Sequence, residues 1–414
     1  MCAAGCVPVS DIYFWREIIM KKKLIALFMC VLMVGSLVLS GCGSSSSGSS
    51  TSELGLDGTW PEETIQIGVE VYDTTDDQFL AFQEYLEYLT DYFNISFMYS
   101  ESLASAEDEL NFIDSCASAG CVAIIGYYNV SGASAIQEAI DQGMYYWGTE
   151  EYYDQFKDND LYVGTYTFIE DGATENGDYL AGYELAYSLA EQGVTHVFYC
   201  NGGASMGIDM FIDRQDGFLA GIAAAQADGY DIEYDEDNDV IEGWPGTDDF
   251  TAALSTKLNG DYDGAAVSFN ASSIFQPVSD AGLEDSIKIS TIGEVSDTYY
   301  DFVQSGTVAA VVYDCEEVVF ANAVVQILNA VTGHLDATRD EDGYAGKILV
   351  NRWTITDADT YNAIYAYHED GNFFVSADDL AGCLVELTED ATFETVSDFY
   401  YSLDVETAVS IASE

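Results

Sequence analysis

Positively charged side chains are scarce in this chain of 414 residues, in which 11 lysines and arginines stand against 73 aspartates and glutamates. The formal net charge at pH 7 is −62. A surface of this sign repels the phosphates of nucleic acids and the headgroups of anionic lipids. The charge therefore excludes both as expected partners, although it does not by itself indicate a function.

Histidine and cysteine, which bind most transition metals, are also scarce. The chain has three histidines, and five cysteines follow residue 42, none at the spacing of a metal site. Their odd number argues against a complete disulfide framework. Cys116 and Cys121 could pair, although buried thiols are the favoured interpretation. The sequence therefore predicts neither a metal site nor a bound cofactor.

An apolar segment without charge extends from Leu24 to Leu39. Its roughly sixteen residues are short for a membrane-spanning helix, which needs roughly twenty. The basic cluster Met-Lys-Lys-Lys at 20–23 precedes it and small residues follow it, which is the anatomy of a secretory signal. The sequence Leu-Ser-Gly-Cys ending at Cys42 resembles the bacterial lipobox, which implies lipidation of Cys42. An ordinary signal peptide or a membrane helix is the alternative.

We therefore expect residues 1–41 to be a signal peptide, with translation starting at Met20. Residues 42–60 are expected to be a lipidated cysteine followed by a Gly/Ser tether. The predicted location is extracytoplasmic, with the protein anchored to the bacterial cell membrane through Cys42.

Downstream of the tether, short apolar runs alternate with segments of helical period. Thr64–Val71 has the composition of a strand, and Phe79, Phe82, Leu86 and Leu89 recur at the spacing of one helix face. Repeated strand–helix alternation indicates parallel sheets covered by helices on both faces. Because the series runs twice, the predicted fold class is α/β, with two doubly wound parallel-sheet lobes joined by a hinge.

The length after the tether, about 350 residues, suggests two domains at about 150 residues each. The predicted N-terminal lobe comprises residues 61–194 and 315–346, and the predicted C-terminal lobe comprises 195–314 and 347–414. Residues 347–355 are expected to form one long final strand. In open α/β sheets, ligands bind beyond the carboxyl ends of the strands, so the cleft between the lobes is the expected binding site.

A serine motif offers an enzymatic alternative. Residues 203–207, Gly-Ala-Ser-Met-Gly, follow the G-x-S-x-G pattern of a hydrolase nucleophile between a predicted strand and a helix. A hydrolase would need a histidine after Ser205, and only His334 and His368 follow it. Neither lies in a catalytic motif, and two residues separate the strand from the first glycine. A strand-to-helix loop without catalysis is therefore the preferred interpretation.

Two other patterns fail as cofactor sites. Gly202 and Gly207 have the spacing of a Walker loop, but Ile208 and Asp209 replace the lysine and the hydroxyl residue that this loop requires. The acidic run 235–239 resembles the start of a calcium loop but lacks the glycine at its sixth place. The sequence thus predicts no bound nucleotide and no calcium ion.

Arginine is rare enough to be informative, since three arginines follow residue 41. Arg214 begins the segment Arg-Gln-Asp-Gly-Phe-Leu-Ala-Gly, which resembles the Arg-x-x-Gly-Phe-x-x-(Ala/Gly) signature of the type I periplasmic sugar-binding proteins. Its predicted place in the first turns of a helix directs the guanidinium toward the cleft, where it could bind paired hydroxyls or a carboxylate. A salt bridge with Asp213 or Asp216 is the alternative.

Three further segments follow the order of that family's motifs. The segment Asp-Gly-Ala-Ala-Val-Ser-Phe-Asn is similar to a family strand that ends at a ligand-binding asparagine, here Asn270, although the next residue is alanine instead of aspartate. Glu294 stands where the family has a sugar-binding aspartate. Residues 306–314 resemble the segment that crosses back to the first lobe, so Tyr313 or Asp314 would replace the family's glutamine.

The resemblance also implies that aromatic side chains enclose the ligand. Tyr72 and Phe79 match the places of two such aromatics, after the first strand and at the start of the first helix. Trp147 and Glu150 follow the fourth strand at another ligand-facing corner. Asp171 lies near a ligand-binding Asp-Asn position of the family. Aromatic faces pack against the C–H faces of sugar rings, while the hydroxyls require paired hydrogen bonds.

The resemblance covers about residues 65–356 and implies a solute-binding protein of an ABC importer, without catalysis, for a sugar or a related polyol. The lobes would close on the solute by hinge bending, and the closed form would dock on a membrane permease. The protein is expected to be a monomer. A sensor that presents solute to a membrane kinase is the alternative within the binding class, and a secreted hydrolase with a Ser205 nucleophile is the alternative outside it.

Overall fold

The computed structural model of the protein describes residues 52, 54–127, 130–149, 152–168 and 176–413. The predicted signal peptide, the predicted lipidation site Cys42 and most of the predicted tether lie outside these residues. Within the described ranges, no helix is both long enough and apolar enough to cross a membrane.

The first sheet belongs to the N-terminal lobe and has six strands. These are β1 (Ile65–Val69), β2 (Ile95–Tyr99), β3 (Ala123–Gly126), β4 (Tyr145–Gly148), β5 (Tyr162–Thr167) and β11 (Gly346–Leu349). Their order is β11-β5-β4-β3-β1-β2, and every neighbouring pair is parallel. The central strand β3 reads Ala-Ile-Ile-Gly and is buried along its whole length, as expected for a strand covered on both faces.

The second sheet also has six strands. These are β6 (Val197–Cys200), β7 (Val240–Ile241), β8 (Gly264–Val267), β9 (Lys288–Ile292), β10 (Val308–Tyr313) and β12 (Trp353–Ile355). Their order is β12-β10-β9-β8-β6-β7, and all pairs are parallel except β10 with β12. Two doubly wound sheets of this kind confirm the predicted α/β fold class.

Helices cover both sheets. They are α1 (Asp77–Thr90), α2 (Ala106–Ala119), α3 (Ala133–Asp141), α4 (Gly177–Glu191), α5 (Asp209–Asp228), α6 (Asp248–Leu258), α7 (Ser272–Ala281), α8 (Asp297–Gln304), α9 (Glu316–Val331), α10 (Ala358–Glu369), α11 (Ala377–Gly382), α12 (Phe393–Tyr401) and α13 (Val405–Ala412). Their ends follow local rules: the Ser105 side chain accepts from Asp108 N at the start of α2, and Gly120 ends that helix in the left-handed conformation.

The chain crosses between the sheets after β5, after β10 and after β11. The third crossing overturns the prediction that residues 347–355 form one strand. Residues 346–349 pair with β5 in the first sheet, and residues 353–355 pair with β10 in the second. An apolar extended run indicates buried strand, but its composition does not show that residues 350–352 pass from one sheet to the other.

The lobe boundary also differs from the predicted one at residue 194. Helix α4 packs against α5 and against β8, β9 and β10, so it belongs to the second lobe. Its Leu185 and Leu189 share a buried core with Val197 and Phe218. The first crossing therefore precedes α4, because this helix buries its apolar face on the sheet that follows it.

The predicted C-terminal lobe includes all residues after 357, but in the structure these residues pack on both lobes. Helix α13 packs against β12 and α10, whereas α12 packs against β11 of the first sheet. Asn329 of the apolar helix α9 donates to Cys383 O and accepts from Val385 N, both at 3.0 Å. This C-terminal segment thus covers α9 as well, since α9 is buried along almost its whole length.

Candidate functional site

Side chains from both lobes meet beyond the ends of the strands. Gln78 in the first turn of α1 and Tyr127 directly after β3 belong to the first lobe. Glu294 follows β9 in the second lobe, and Glu316 begins α9 just after the second crossing. We call these four residues the interlobe site.

A chain of hydrogen bonds connects the interlobe site. Tyr127 Oη donates to Gln78 Oε1, and Gln78 Nε2 donates to Glu316 Oε1 at 3.0 Å. The carboxyl groups of Glu294 and Glu316 face each other across the lobes closely enough for each to shift the pKa of the other. Beside them, Ser296 Oγ of the second lobe lies 3.5 Å from Asp77 Oδ2 of the first. The lobes therefore touch through polar groups at this place.

Burial controls the protonation of the two glutamates. Glu294 and Glu316 are 7% and 2% exposed. Burial and the neighbouring Glu316 carboxylate raise the pKa of Glu294 well above 4.5. Burial also raises the pKa of Glu316, to about 7, although the hydrogen bond from Gln78 opposes the rise. The two carboxyls therefore retain a shared proton at a higher pH than exposed glutamates do.

Several buried acceptor atoms at this edge of the fold have no protein donor. The Oε2 atoms of Glu294 and Glu316 are buried, and apart from the proton shared by the two carboxyls, no donor group of the described residues reaches either one. Asn201 follows β6 and is 2% exposed, and its Oδ1 atom is also buried without a donor among the described residues. A buried acceptor without a donor costs free energy, so such atoms are candidates for contact with a ligand.

A second buried cluster, which we call the hinge network, consists of Asp178, Arg214, Asp314 and Arg352. Arg214 Nε and Nη2 both lie 2.8 Å from Asp178 Oδ1, and its Nη1 donates to Ser268 O at 2.8 Å. Arg352 Nε donates to Asp314 Oδ1 at 2.6 Å. Burial alone would raise the pKa of Asp178, but the two guanidiniums outweigh it and hold the pKa below its usual value.

Arg352 connects all three crossings between the lobes. It lies in the third crossing, and Asp314 lies in the second. Arg352 Nη1 also donates to Gly177 O at 2.5 Å, where the chain enters α4 after the first crossing. Its guanidinium stands 4.1 Å from the ring centroid of Phe168, just after β5. One side chain therefore fixes the relative positions of the three hinge segments.

The glycine of the Arg-x-x-Gly-Phe motif explains how Asp178 reaches Arg214. A Cβ atom on Gly217 of α5 would lie 1.8 Å from Tyr179 O of α4. A Cβ atom on Gly182 of α4 would lie 1.9 Å from Arg214 O. Only glycine permits this close approach of the two helices, and the approach places Asp178 beside the guanidinium.

Among the predicted ligand residues, Glu294 lies in the interlobe site, whereas Arg214 and Asp314 lie in the hinge network. Arg214 is 7% exposed, and its carboxylate partner is Asp178, 36 residues away. The alternative prediction for Arg214, a salt bridge, is therefore confirmed as the type of contact. The predicted partners, Asp213 and Asp216, are wrong. A partner at this separation could not be read from local spacing.

The predicted aromatic residues have different surroundings. Tyr72 is 61% exposed. Phe79 packs in the core of the first lobe, edge to face with Phe82 and Tyr99 at centroid distances of 5.2 and 5.7 Å. Trp147 is fully buried and lies in the same core. Of these three predicted aromatics, only Tyr72 is exposed.

The remaining predicted residues are partly engaged by the protein itself. Asn270 Oδ1 accepts from Tyr299 Oη and from Ser272 N, both at 2.9 Å. Tyr313 is 3% exposed and packs edge to face with Trp353 at 5.8 Å. The predicted ligand residues Glu150 and Asp171 lie outside the described residues.

Ser205 does not meet a histidine in the described part of the chain. It lies exposed in a single 3₁₀ turn, Ala204–Met206. Nε2 of His368, one of the two histidines available to a hydrolase, is 3.3 Å from Glu317 Oε1. No hydrogen bond joins Ser205 to either His334 or His368 among the described residues.

Sequence reasoning missed Gln78, Tyr127 and Glu316 of the interlobe site, and Asp178 and Arg352 of the hinge network. The rarity of arginine was a usable signal for Arg352. The other four residues had no such signal in the sequence. Glutamate, aspartate and tyrosine are abundant in this chain, and a polar residue such as Gln78 is common in the first turn of a helix.

Solved structures share this fold. An ABC transporter solute-binding protein from Bacillus halodurans, with bound myo-inositol, is 14% identical with a TM-score of 0.54, over 73% of this chain and 97% of its own. A periplasmic solute-binding protein from Actinobacillus succinogenes, with bound D-allose, is 15% identical with a TM-score of 0.55, over 72% and 99%. The arabinose-transporter binding protein from Shewanella sp. ANA-3 is 17% identical with a TM-score of 0.54, over 74% and 96%.

These similarities define the fold of the chain as that of the type I periplasmic binding proteins. The resemblance that the sequence motifs suggested is thereby confirmed at the level of the fold. No protein-family model and no curated protein matches the sequence.

Proposed function

We propose that the protein is a lipid-anchored solute-binding protein of an ABC importer and that it binds a sugar or another small polar solute between its lobes. The observation that carries the proposal is the interlobe site, where buried polar groups from both lobes meet beyond the ends of parallel strands. Open α/β sheets bind ligands at this place. The similar structures that hold myo-inositol, D-allose and L-arabinofuranose support a polyhydroxylated solute.

The hinge network supports a mechanism in which the lobes bend toward each other. Three crossings connect the lobes, and Arg352 contacts all three. A hinge of this kind permits rotation of one lobe against the other while the sheets remain rigid. Solute that contacts both lobes would favour the closed form, and a permease would recognise that form.

Binding is tested by thermal unfolding of the purified protein with a panel of plain and aminated solutes: myo-inositol, D-allose, L-arabinose, D-galactose, D-ribose, D-glucosamine and D-galactosamine. A ligand that binds only the folded state raises its stability, by about 2.7 kcal/mol at one hundred times the dissociation constant. We expect at least one member of the polyol and sugar series, plain or aminated, to raise the melting temperature in a saturable way. Failure of every member would contradict the proposal.

The anchor is tested separately by fractionation of cells that express the full chain. Cys42→Ala should block lipidation and release the protein from the membrane fraction. Ser40→Thr is the matched control, because it leaves the acceptor cysteine in place. Retention of Cys42→Ala in the membrane fraction would contradict the lipid anchor while leaving solute binding intact.

The role in import is tested with the cognate genes. Deletion of the gene should abolish uptake of the identified solute, and a Cys42→Ala copy should restore little of it because the released protein is diluted away from the permease. Normal uptake in the deletion strain would favour the sensor alternative.

A further inference from the structure

The acidic groups near the hinge fall into two sets. One set faces positively charged arginines, and the other faces further carboxyl groups. In the hinge network, the carboxylates of Asp178 and Asp314 face the guanidiniums of Arg214 and Arg352. Two negative charges therefore meet two positive charges. The carboxyls of Glu294 and Glu316 face each other instead, and the nearest further charges, Asp76 and Asp314, have the same sign.

No lysine or arginine of the described chain contacts this glutamate pair, and the imidazole of His368, which also interacts electrostatically with Glu316, is held by Glu317 at 3.3 Å. Arg214 and Arg352 are held by the hinge network. The other lysines and arginines of the described residues make their contacts with other groups: Lys157, Lys257, Lys288, Arg339 and Lys347. The shared proton is therefore the positive charge that keeps two buried carboxyls together.

The buried acceptors define what a ligand must supply. Glu294 Oε2 and Glu316 Oε2 are buried acceptors, and apart from the proton that the pair shares, no described donor reaches either one. Gln78 already donates to the other oxygen of Glu316. A ligand that entered here would satisfy these atoms best with several N–H donors on one positive group.

We propose that the solute carries a protonated amine, as an amino sugar or an aminated polyol does, and that its ammonium group replaces the proton shared by Glu294 and Glu316. This inference rests on the proposed function, because it assigns a chemical class to the solute of the same site. The ammonium N–H groups donate to both carboxylates, and the displaced proton leaves to solvent. Binding therefore releases at least one proton for each solute bound.

A metal ion is the other cation that two carboxylates could attract. Across the described residues, however, no three histidine, cysteine, aspartate or glutamate side chains converge to hold one. Calcium requires six to eight oxygen ligands, and the site offers two carboxyls and the amide of Gln78. An ammonium group with three donors fits the available acceptors more closely.

Other titratable groups around the pair do not compete with its proton near neutral pH. The neighbours are Tyr127, Tyr299, Tyr313, Tyr361, Cys315 and His368. Burial raises the pKa of the tyrosines and of the thiol, so these groups stay neutral. Burial lowers the pKa of His368, but the Glu317 carboxylate outweighs it and raises the pKa above 6.5. His368 faces Glu317 and belongs to that pair.

The test compares matched solutes that differ in one group. Titration calorimetry measures the affinity of the wild-type protein for D-glucosamine against D-glucose, D-galactosamine against D-galactose, and D-glucamine against D-glucitol. We expect at least one aminated member to bind about tenfold or more tightly than its hydroxyl partner. Repeating the titration at pH 6.5 in phosphate and in citrate should show release of one proton or more, because these two amine-free buffers differ in enthalpy of protonation.

Amide variants test whether the preference for the amine depends on the two glutamates. Glu294→Gln and Glu316→Gln should each abolish the preference for the amine and the proton release, while Glu386→Gln, which removes the same charge from an exposed position, should change neither. Wild-type comparisons of matched solutes decide the matter even if a variant folds poorly.

The other outcomes have distinct meanings. Equal or tighter binding of the neutral partners, without proton release, would overturn the amine and leave the proposed function standing. Binding of calcium or magnesium chloride that depends on Glu294 and Glu316, with no response to amines, would also overturn it. If no member of either series binds, the proposed function fails and this inference fails with it.

Discussion

The hinge network and the interlobe site are both buried sets of carboxyls at the junction of the lobes, yet they have opposite charge states. Asp178 accepts hydrogen bonds from Arg214, and its pKa is held low. Glu294 faces Glu316 and other carboxylates instead of a guanidinium, and its pKa is raised. Burial acts in the same direction on both, since it always disfavours the ion.

The difference between the two pKa values therefore comes from the charge of the group that each carboxyl faces. This charge also suits the two clusters to different roles. A carboxylate compensated by guanidiniums has its charge satisfied within the protein and can hold three hinge segments together. A carboxyl pair without a cation keeps an unsatisfied demand for positive charge. Such a pair is poorly suited to stabilising the fold and well suited to binding a donor from outside.

Breaking the hinge network should have the largest effect on stability. Asp178→Ala leaves two buried guanidiniums without their shared carboxylate, and removal of one partner from a buried ion pair costs about 3–5 kcal/mol. Urea unfolding measures the change in the free energy of unfolding. The control Asp216→Ala removes an exposed carboxylate from the neighbouring helix α5 and should change this free energy by less than about 0.5 kcal/mol. Equal stabilities of the two variants would contradict the assigned role of Asp178.

The pH dependence of stability should reveal the interlobe site. The pKa of Glu316 rises from 4.5 to about 7 on folding, so the proton binds more tightly to the folded state. Its contribution is fully present below pH 4.5 and is lost as the pH rises through about 7, which amounts to about 3 kcal/mol. Urea unfolding at pH 5, 6, 7 and 8 should show this decline.

The double variant Glu294→Gln/Glu316→Gln supplies the control for that profile. It should flatten the decline, because neither amide titrates. An unchanged slope in the double variant would show that other carboxyls cause the pH dependence.

Gln78 should have an intermediate effect. Gln78→Ala removes the acceptor of the buried Tyr127 hydroxyl and the donor to Glu316, which should cost about 1–3 kcal/mol. The pKa of Glu316 should rise further, because the lost hydrogen bond favoured its ionised form. Unfolding measured against pH should therefore show the loss of stability displaced to higher pH. A displacement to lower pH would contradict the assigned hydrogen bond.

The smallest effect is expected at Ser205, which belongs to neither region. Ser205→Ala should leave stability within about 0.5 kcal/mol, because the side chain is exposed. Solute affinity should stay within about twofold. A stoichiometric adduct of the wild-type protein with a serine-directed fluorophosphonate, absent from the variant, would instead favour the hydrolase alternative.

The sequence predicted much of the fold, because the signals involved are local. Alternating apolar runs and helical periods indicated two doubly wound lobes, and both sheets have the expected parallel character. The prediction was wrong at residues 347–355. Their continuous apolar pattern indicated one strand, but these residues divide between the two sheets. It also placed α4 in the wrong lobe, since an amphipathic helix does not reveal which sheet covers its apolar face.

The residues of the site were harder to predict from the sequence, because their contacts join positions that are distant along the chain. The motif around Arg214 indicated a functional region, but its partners Asp178 and Arg352 are 36 and 138 residues distant along the chain. Glu294 was singled out by its position after a strand, whereas Glu316 looked like an ordinary acid at the start of a helix. In a chain with 73 acidic residues, composition cannot indicate which ones pair with arginine.

The sequence alone therefore determined the fold class and the general position of the cleft, because backbone hydrogen bonding and apolar periodicity are read over a few residues. Only the tertiary structure decided which buried carboxyls are charged. That property depends on burial and on the nearest charge in space, and the three crossings bring together groups that are remote in sequence. Two glutamates 22 residues apart share a proton because no guanidinium reaches them, while Asp178 keeps its charge because two do.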